Sequence, residues 1–309
     1  MVRVAVIGVG HLGQHHARLL AGMSGVTLTG VVDTRPERAA EIAGKYGVPA
    51  HTDITPLFGQ VDAVSIAVPT VAHVDVALPF IERGVGVLVE KPLAASMADA
   101  DRLLAAAERR GVIVAAGHTE RFNPAVVAAL PLVDRPRFVE IHRLGTFPER
   151  SLDIDVIFDL MIHDLDLLLA AVKSDVASIE AVGVNVLTPK TDIANVRLRF
   201  ADGCIANLTA SRISRERVRK VRFFQPHSYV SIDYAAQEVE VYRLAPGDGG
   251  RPTIQGGKLE VPRQEPLFCE LADFVDAVRA QRAPGVTGRA GRDALELATK
   301  VAEAIDVSV

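Results

Sequence analysis

Val2-Arg3-Val4-Ala5-Val6-Ile7-Gly8-Val9-Gly10-His11-Leu12-Gly13 stands near the start of the chain and carries the strongest signal of its architecture. A short apolar run of strand type meets glycines in G-x-G-x-x-G spacing, and a helical pattern follows over His11–Met23, with Leu12, Leu19 and Leu20 as apolar positions. Each glycine has its own reason. Gly8 allows a tight turn, Gly10 lets a pyrophosphate approach the main chain, and Gly13 permits close helix–strand packing. The helix start then offers free N–H groups and a favourable dipole to phosphates. Asp33 ends the next strand, Val26–Val32, twenty residues after Gly13. A carboxylate there hydrogen-bonds an adenosine ribose 2′-OH and repels a 2′-phosphate, so NAD is preferred over NADP. Arg35 and Arg38 lie just beyond, and either can soften that preference. The plain alternative is a glycine-rich turn in which Asp33 merely caps a helix.

The alternation of strand and helix patterns continues beyond Val32. A helix starts at about Pro36, followed by a strand at Val61–Val68, a helix at Val71–Arg83 and a strand at Val85–Val89. A helix at Met97–Arg110 and a strand at Val112–Ala116 complete the series. Near-continuous apolar strands separated by helices indicate a parallel sheet covered on both faces. After Gly117 the pattern changes. A helical stretch at Ile154–Val172 precedes strand-like runs at Val176–Leu187, Ala194–Phe200, Cys204–Ser211, Val218–Phe224, Tyr229–Asp233 and Glu238–Arg243. Asp202-Gly203 reads as a hairpin turn. Strands without intervening helices imply antiparallel pairing. Pro246–Gly257 reads as an exposed loop, and helices at Leu267–Gln281 and Arg289–Ile305 finish the chain. The expected architecture is an α/β Rossmann domain over residues 1–118 plus an α+β C-terminal domain over 119–309, with the last helices able to pack back on the first domain.

The 309 residues carry 34 Lys and Arg against 38 Asp and Glu, a net charge of −4 with both signs dispersed. That argues against a nucleic-acid binder, which carries a basic face. The one basic cluster, Arg215–Arg222, alternates along a strand and reads as a charged solvent face. Cys204 and Cys269 have no metal-ligand spacing, so neither a disulfide framework nor a metal site is expected. No signal sequence or membrane-spanning run is read, and a cytoplasmic protein is the expectation.

Two further motifs carry chemistry. Glu90-Lys91-Pro92 follows a strand at the edge where open α/β sheets bind ligands, within reach of a nicotinamide ribose and a substrate hydroxyl. Its bland alternative is a solvated Glu-Lys pair before a loop proline. Asp159 and His163 are four apart, on one face of a helix and one turn apart. A neutral histidine suits removal of a hydroxyl proton while hydride leaves carbon. The bland alternative is an acidic helix whose histidine only packs; Asp164 and Asp166 follow it.

These pieces occur in order with Ala67-Val68-Pro69-Thr70-Val71-Ala72-His73 and the ending Glu265-Pro266-Leu267 to Ala294-Leu295-Glu296-Leu297-Ala298. The whole chain resembles the glucose–fructose oxidoreductase / inositol dehydrogenase (Gfo/Idh/MocA) family. That resemblance implies an open, mainly antiparallel C-terminal sheet with helices on one face, a homodimer or homotetramer, and NAD(P)-dependent oxidation or reduction of a hydroxyl on a sugar or cyclitol. It makes Lys91, Asp159 and His163 the catalytic residues, with His163 the proton acceptor. The candidate cofactor set is Gly8, Gly10, His11, Leu12, Gly13, Asp33 and Arg38, with Pro69, His73, Glu90 and Lys91 around the nicotinamide. Asp155-Val156-Ile157-Phe158 replaces the paired glycines that many members place before the aspartate. His118-Thr119-Glu120-Arg121-Phe122-Asn123-Pro124-Ala125 and Asp159–Asp164 are similar to a bacterial branch, the UDP-N-acetylglucosamine 3-dehydrogenases of lipid A diamino-sugar synthesis. On that reading His118, Arg121 and Asn123 are candidate substrate contacts; alternatively Asn123 caps a helix and His118 ends the sheet. Two rival functions stand: a dehydrogenase of inositol or a free sugar, and a non-catalytic NAD(P)-sensing regulator.

Overall fold

The computed structural model describes residues 1–147, 154–247 and 251–306, which divide into two units: Met1–Thr119 with Glu265–Leu295, and Glu120–Gln264 with the residues from Glu296.

The first unit is built on a six-stranded parallel sheet. Its strands are β1 (Val2–Ile7), β2 (Val26–Val32), β3 (Ala50–His51), β4 (Ala63–Ile66), β5 (Gly86–Glu90) and β6 (Val114–Gly117), in the order β3-β2-β1-β4-β5-β6. Reversal of strand order between β1 and β4 opens a crevice at the carboxyl edge, where this class of sheet takes its ligands. Gly8, Asp33, Glu90 and His118 each stand at or just past the end of a strand at that edge. Helices α1 (Gly13–Ala21), α2 (Pro36–Tyr46), α3 (His73–Ile81) and α4 (Met97–Arg110) connect the strands. α4 is bounded by local chemistry: Ser96 Oγ accepts the Asp99 N–H, and Gly111 ends it in the left-handed conformation. β3, only two residues long, has no counterpart in the sequence pattern.

The region after Glu265 supplies α7 (Pro266–Ala280), whose Leu271, Phe274, Val275 and Val278 are buried in one core with Val4, Val6, Leu20 and Leu28. The boundary expected at residue 118 lies one residue from the end of the first segment, but Glu265–Leu295 groups with that segment and not with the second unit. α8 (Gly288–Asp306) begins in the first unit and ends in the second.

The second unit contains α5 (Pro124–Ala129), α6 (Ile162–Val172) and an eight-stranded sheet. Its strands are β7 (Phe138–Leu144), β8 (Val176–Val184), β9 (Ile193–Phe200), β10 (Ile205–Ser211), β11 (Val218–Gln225), β12 (Ser228–Asp233), β13 (Glu238–Ala245) and β14 (Thr253–Leu259), in the order β14-β13-β12-β11-β7-β10-β9-β8. All pairings are antiparallel except β7 with β10, an exception to the antiparallel expectation. α5 packs on β12 and β13, and the turn before α6 packs on β10. On that covered face, Val139, Ile141, Val196, Leu198, Val221 and Phe223 are buried.

Two expectations differ from the structure, and one strand has no counterpart in the sequence pattern. Residues 253–257 of the expected Pro246–Gly257 loop belong to edge strand β14, because a strand paired on one side only tolerates glycine; 248–250 lie outside the described residues. β7 was not legible, since Glu140, His142 and Arg143 interrupt its apolar pattern. Ile157–Met161 forms a π-helical turn rather than the start of an α-helix. Of the basic cluster, Lys220 pairs with Asp233 and Arg222 with Glu140 across strands. No helix among the described residues is long and apolar enough to cross a membrane.

Candidate active site

The glycine loop is shaped by its neighbours. Gly8 has φ +82°, and a Cβ there would meet the Ala67 carbonyl oxygen at 2.6 Å; one on Gly13 would meet the Gly8 oxygen at 1.7 Å. At Gly10 a Cβ would meet nothing within 4 Å, which is the room a diphosphate requires. The loop is fixed from behind. Asp33 Oδ2 accepts the Val9 N–H at 3.2 Å, while Oδ1 accepts Arg35 N at 3.0 Å and Arg35 Nε at 3.2 Å. Arg38 Nε donates to the Val9 carbonyl at 2.7 Å, and its Nη2 donates to the Gly10 carbonyl at 3.3 Å. Arg38 thus braces the loop, whereas Arg35 is largely exposed. His11 and Leu12 are exposed at the helix start. These residues fit a dinucleotide with free ribose hydroxyls.

Around Lys91 the chain is tied down by buried groups. Glu90 Oε1 stands 3.0 Å from His16 Nε2, and Oε2 accepts the Lys91 N–H at 3.1 Å. Burial alone would raise the Glu90 carboxyl, but the His16 hydrogen bond and the Lys91 charge hold it below the usual range. His73 is buried, with Nδ1 2.9 Å from the Pro92 oxygen and Nε2 3.0 Å from the Val68 oxygen. Burial lowers its imidazole against the pull of those carbonyls. His73 therefore staples two loops, and Glu90 faces inward. Pro69 and Lys91 are the more accessible members of the nicotinamide set. His118 is buried past β6, where Thr119 Oγ1 donates to Glu270 at 3.0 Å.

In the second unit Asp159 lies within the π turn and His163 one residue into α6. The i→i+5 register of that turn widens the backbone, so the regular one-turn α-helical geometry expected for the pair does not apply; such turns recur at functional sites. Both side chains are partly exposed. The neighbouring Asp164 is buried and receives Arg143 on both oxygens, and Arg143 also donates to Glu120 at 3.0 Å. Burial opposes the Arg143 charge, but Asp164 and Glu120 hold the guanidinium well above its usual range. Arg121 Nη1 lies 3.4 Å from Asp166 Oδ1. Asn123 caps α5 by accepting the Ala125 N–H at 3.1 Å, and its amide donates to Tyr234 O at 3.0 Å. Those bonds commit Asn123 to structure, whereas Arg121 remains partly exposed. Lys91 belongs to the first unit and Asp159 and His163 to the second.

Sequence reasoning missed His16, Ser65, Arg143 and Tyr234. A signal existed for Ser65, a lone hydroxyl in an apolar strand, since a buried polar group requires a partner.

Residues 2–118 match the oxidoreductase family with an NAD-binding Rossmann fold (GFO_IDH_MocA), and residues 135–226 match the GFO/IDH/MocA C-terminal domain. The UDP-N-acetylglucosamine 3-dehydrogenase of Acidithiobacillus ferrooxidans is 39% identical over 99% of this chain and 97% of its own. A solved structure of that enzyme superposes with a TM-score of 0.92 at 38% identity, covering 99% of this chain and 98% of the other. The myo-inositol 2-dehydrogenase of Thermotoga maritima is 27% identical over 96% of this chain and 94% of its own.

Proposed function

Since the chain belongs to the GFO/IDH/MocA oxidoreductase family, as an NAD-binding dehydrogenase acting on CH–OH groups, we propose that its substrate is UDP-N-acetylglucosamine, oxidised at the 3-hydroxyl. The observation that carries this reading is end-to-end similarity to the A. ferrooxidans enzyme, at an identity well above that to the inositol dehydrogenase. Bound NAD supplies the acceptor for the hydride leaving C3. His163 takes the 3-OH proton, Asp159 orients the hydroxyl, and the Lys91 ammonium stabilises the oxygen as negative charge develops. Preorganised charge at a forming alkoxide is where such a site gains most. Arg121 is the candidate contact for the diphosphate, since a guanidinium suits phosphate geometry. The product, a 3-keto sugar nucleotide, has the carbonyl that transamination needs, which supports a role before a diamino sugar of lipid A.

The uncovered face of the second sheet supports self-association. Phe138, Phe224, Tyr229 and Tyr242 form a row across four strands, with ring centroids 5.5, 5.2 and 6.3 Å apart. Matched pairs flank the row: Arg222 with Glu140 and Lys258 with Glu238. Aromatic groups beside balanced charges on one face suit a second copy of the same face.

The test is NADH formation by the purified protein from NAD and UDP-N-acetylglucosamine, with a sugar 3-aminotransferase present to draw the equilibrium. Activity is expected with this substrate and not with myo-inositol or free N-acetylglucosamine. NADH from inositol alone overturns the sugar-nucleotide assignment, and NAD binding without turnover on any alcohol turns the reading towards a sensing role.

A further inference from the structure

Two buried imidazoles flank Glu90-Lys91-Pro92, and dinucleotide binding leaves one of them, His16, unexplained. His16 lies in the first turn of α1, just after Gly13, and is fully buried. Its Nδ1 is 2.7 Å from Ser65 Oγ and its Nε2 is 3.0 Å from Glu90 Oε1. The other Glu90 oxygen accepts the Lys91 N–H. Room for this carboxylate exists because β6 ends in glycine: a Cβ on Gly117 would stand 2.9 Å from Glu90 Cα and 3.0 Å from Oε2.

Serine, histidine and carboxylate in line have the order of a nucleophilic triad, but this line is no such device. Ser65 sits inside the central strand β4 with no exposed surface, so no substrate reaches it. The line has a different consequence. An ionised carboxylate only accepts, so the Glu90 side of the ring calls for a proton on His16 Nε2, while Ser65, whose hydroxyl both donates and accepts, meets Nδ1. A buried carboxylate stays ionised only when donors face it. Here the lysine's own main-chain N–H donates to one oxygen, and the His16 ring nitrogen from α1 stands 3.0 Å from the other.

We propose that His16 and Glu90 are positioning residues for Lys91, which fix the lysine to the helix whose first turn meets the dinucleotide phosphates. The inference rests on reading Lys91 as the lysine that meets the reacting hydroxyl. It adds that the first helix and the lysine share one buried line of close polar contacts, from Ser65 through His16 and Glu90 to the Lys91 amide.

His16→Leu keeps bulk and removes the donor, while His16→Gln returns an N–H in reach of Glu90. Three quantities are measured for each: kcat, NADH affinity, and the rate at which trinitrobenzenesulfonate labels Lys91, followed by peptide mass spectrometry. In H16L kcat is expected to fall about tenfold or more, as small misplacements of reacting groups do. NADH affinity should be nearly unchanged, the Lys91 labelling rate should change, and H16Q should restore most of both. Unchanged kcat and labelling in H16L overturn the proposal; so does an H16Q variant as impaired as H16L, because bulk alone would then explain the site. If H16L does not fold, Glu90→Gln against H16Q decides on the same readouts, with E90Q expected to alter labelling. Labelling needs no substrate. A labelling change in a protein that oxidises no sugar supports the positioning pair and sinks the proposed function instead.

Discussion

Arg143 satisfies both carboxylate oxygens of Asp164, Nε reaching Oδ2 at 2.7 Å and Nη2 reaching Oδ1 at 2.9 Å, with both side chains almost wholly buried. The third arm of the guanidinium reaches Glu120, and its carbon lies 5.2 Å from the Tyr234 ring centroid. Asp164 follows His163 on α6, and Glu120 precedes Arg121. One buried cation thus holds the neighbours of a candidate base and of a candidate phosphate contact. Removing one partner of a buried pair leaves the other charge uncompensated, so Arg143→Met should cost about 3–5 kcal/mol in urea denaturation. The double variant Arg143→Met/Asp164→Leu should lose less than the two single losses combined. An R143M protein as stable as the parent would show that the pair contributes nothing to the fold.

Asp192 gives the second unit an acid-sensitive point. Its carboxylate is buried and accepts the N–H groups of Val186, Leu187 and Thr188 at 2.8, 2.6 and 2.9 Å, together with the Thr188 hydroxyl. Burial alone would raise the carboxyl, but these donors lower it to about 2. A folded-state value below the unfolded one stabilises the fold fully above about pH 4, and that contribution fades as pH falls through about 2. Thermal midpoints between pH 5 and pH 2 should therefore fall more steeply in the parent than in Asp192→Asn. Asp192→Ala leaves several N–H groups unsatisfied and should cost on the order of 3 kcal/mol at neutral pH. Equal slopes in parent and D192N would remove Asp192 from the acid response.

Asp33 and Arg38 both touch the glycine loop, and the two make opposite predictions for coenzyme choice. Asp33 presents the charge that a 2′-phosphate would meet, and its loss also frees the exposed Arg35. Asp33→Asn should weaken NADH binding about tenfold, the scale of one charge-assisted hydrogen bond, and strengthen NADPH binding. Arg38 holds the Val9 and Gly10 carbonyls instead, so Arg38→Met should weaken both coenzymes alike. Fluorescence titrations with the two reduced coenzymes separate these patterns. A D33N protein that still excludes NADPH would show that the carboxylate does not set the preference.

The first unit was legible because its determinants are local. Val2–Gly13 carries strand, turn and helix start in one stretch, and Met97–Arg110 is bracketed by Ser96 and Gly111. The second unit hid what depends on distant partners. Arg143 makes β7 look like a surface strand until Asp164, 21 residues on, and Glu120 neutralise it inside. Spacing between Asp159 and His163 is the same in an α-helix and in a π turn, so residue type could not report the register. The contact of His16 with Glu90 joins a helix to a strand far along the chain, and no periodicity records such a pairing.

The uncovered sheet face gives a prediction that separates assembly from catalysis. Tyr242 and Ile254 are 40% and 78% exposed on β13 and its neighbour, the edge strand β14, so apolar side chains face water there. Phe224 continues that surface inward through Tyr229. Charges placed in the row would be desolvated in a pairing of two such faces, yet would cost little on a monomer surface. Phe224→Asp/Tyr242→Asp should therefore convert an oligomer to monomer in light scattering coupled to size exclusion, with the isolated fold nearly as stable as before. Because Arg222 and Glu140 already pair on that face, reversing both together (Arg222→Glu/Glu140→Arg) should leave the assembly intact while either change alone weakens it. An aspartate double variant that keeps the parent's mass in solution would place the interface elsewhere on the molecule.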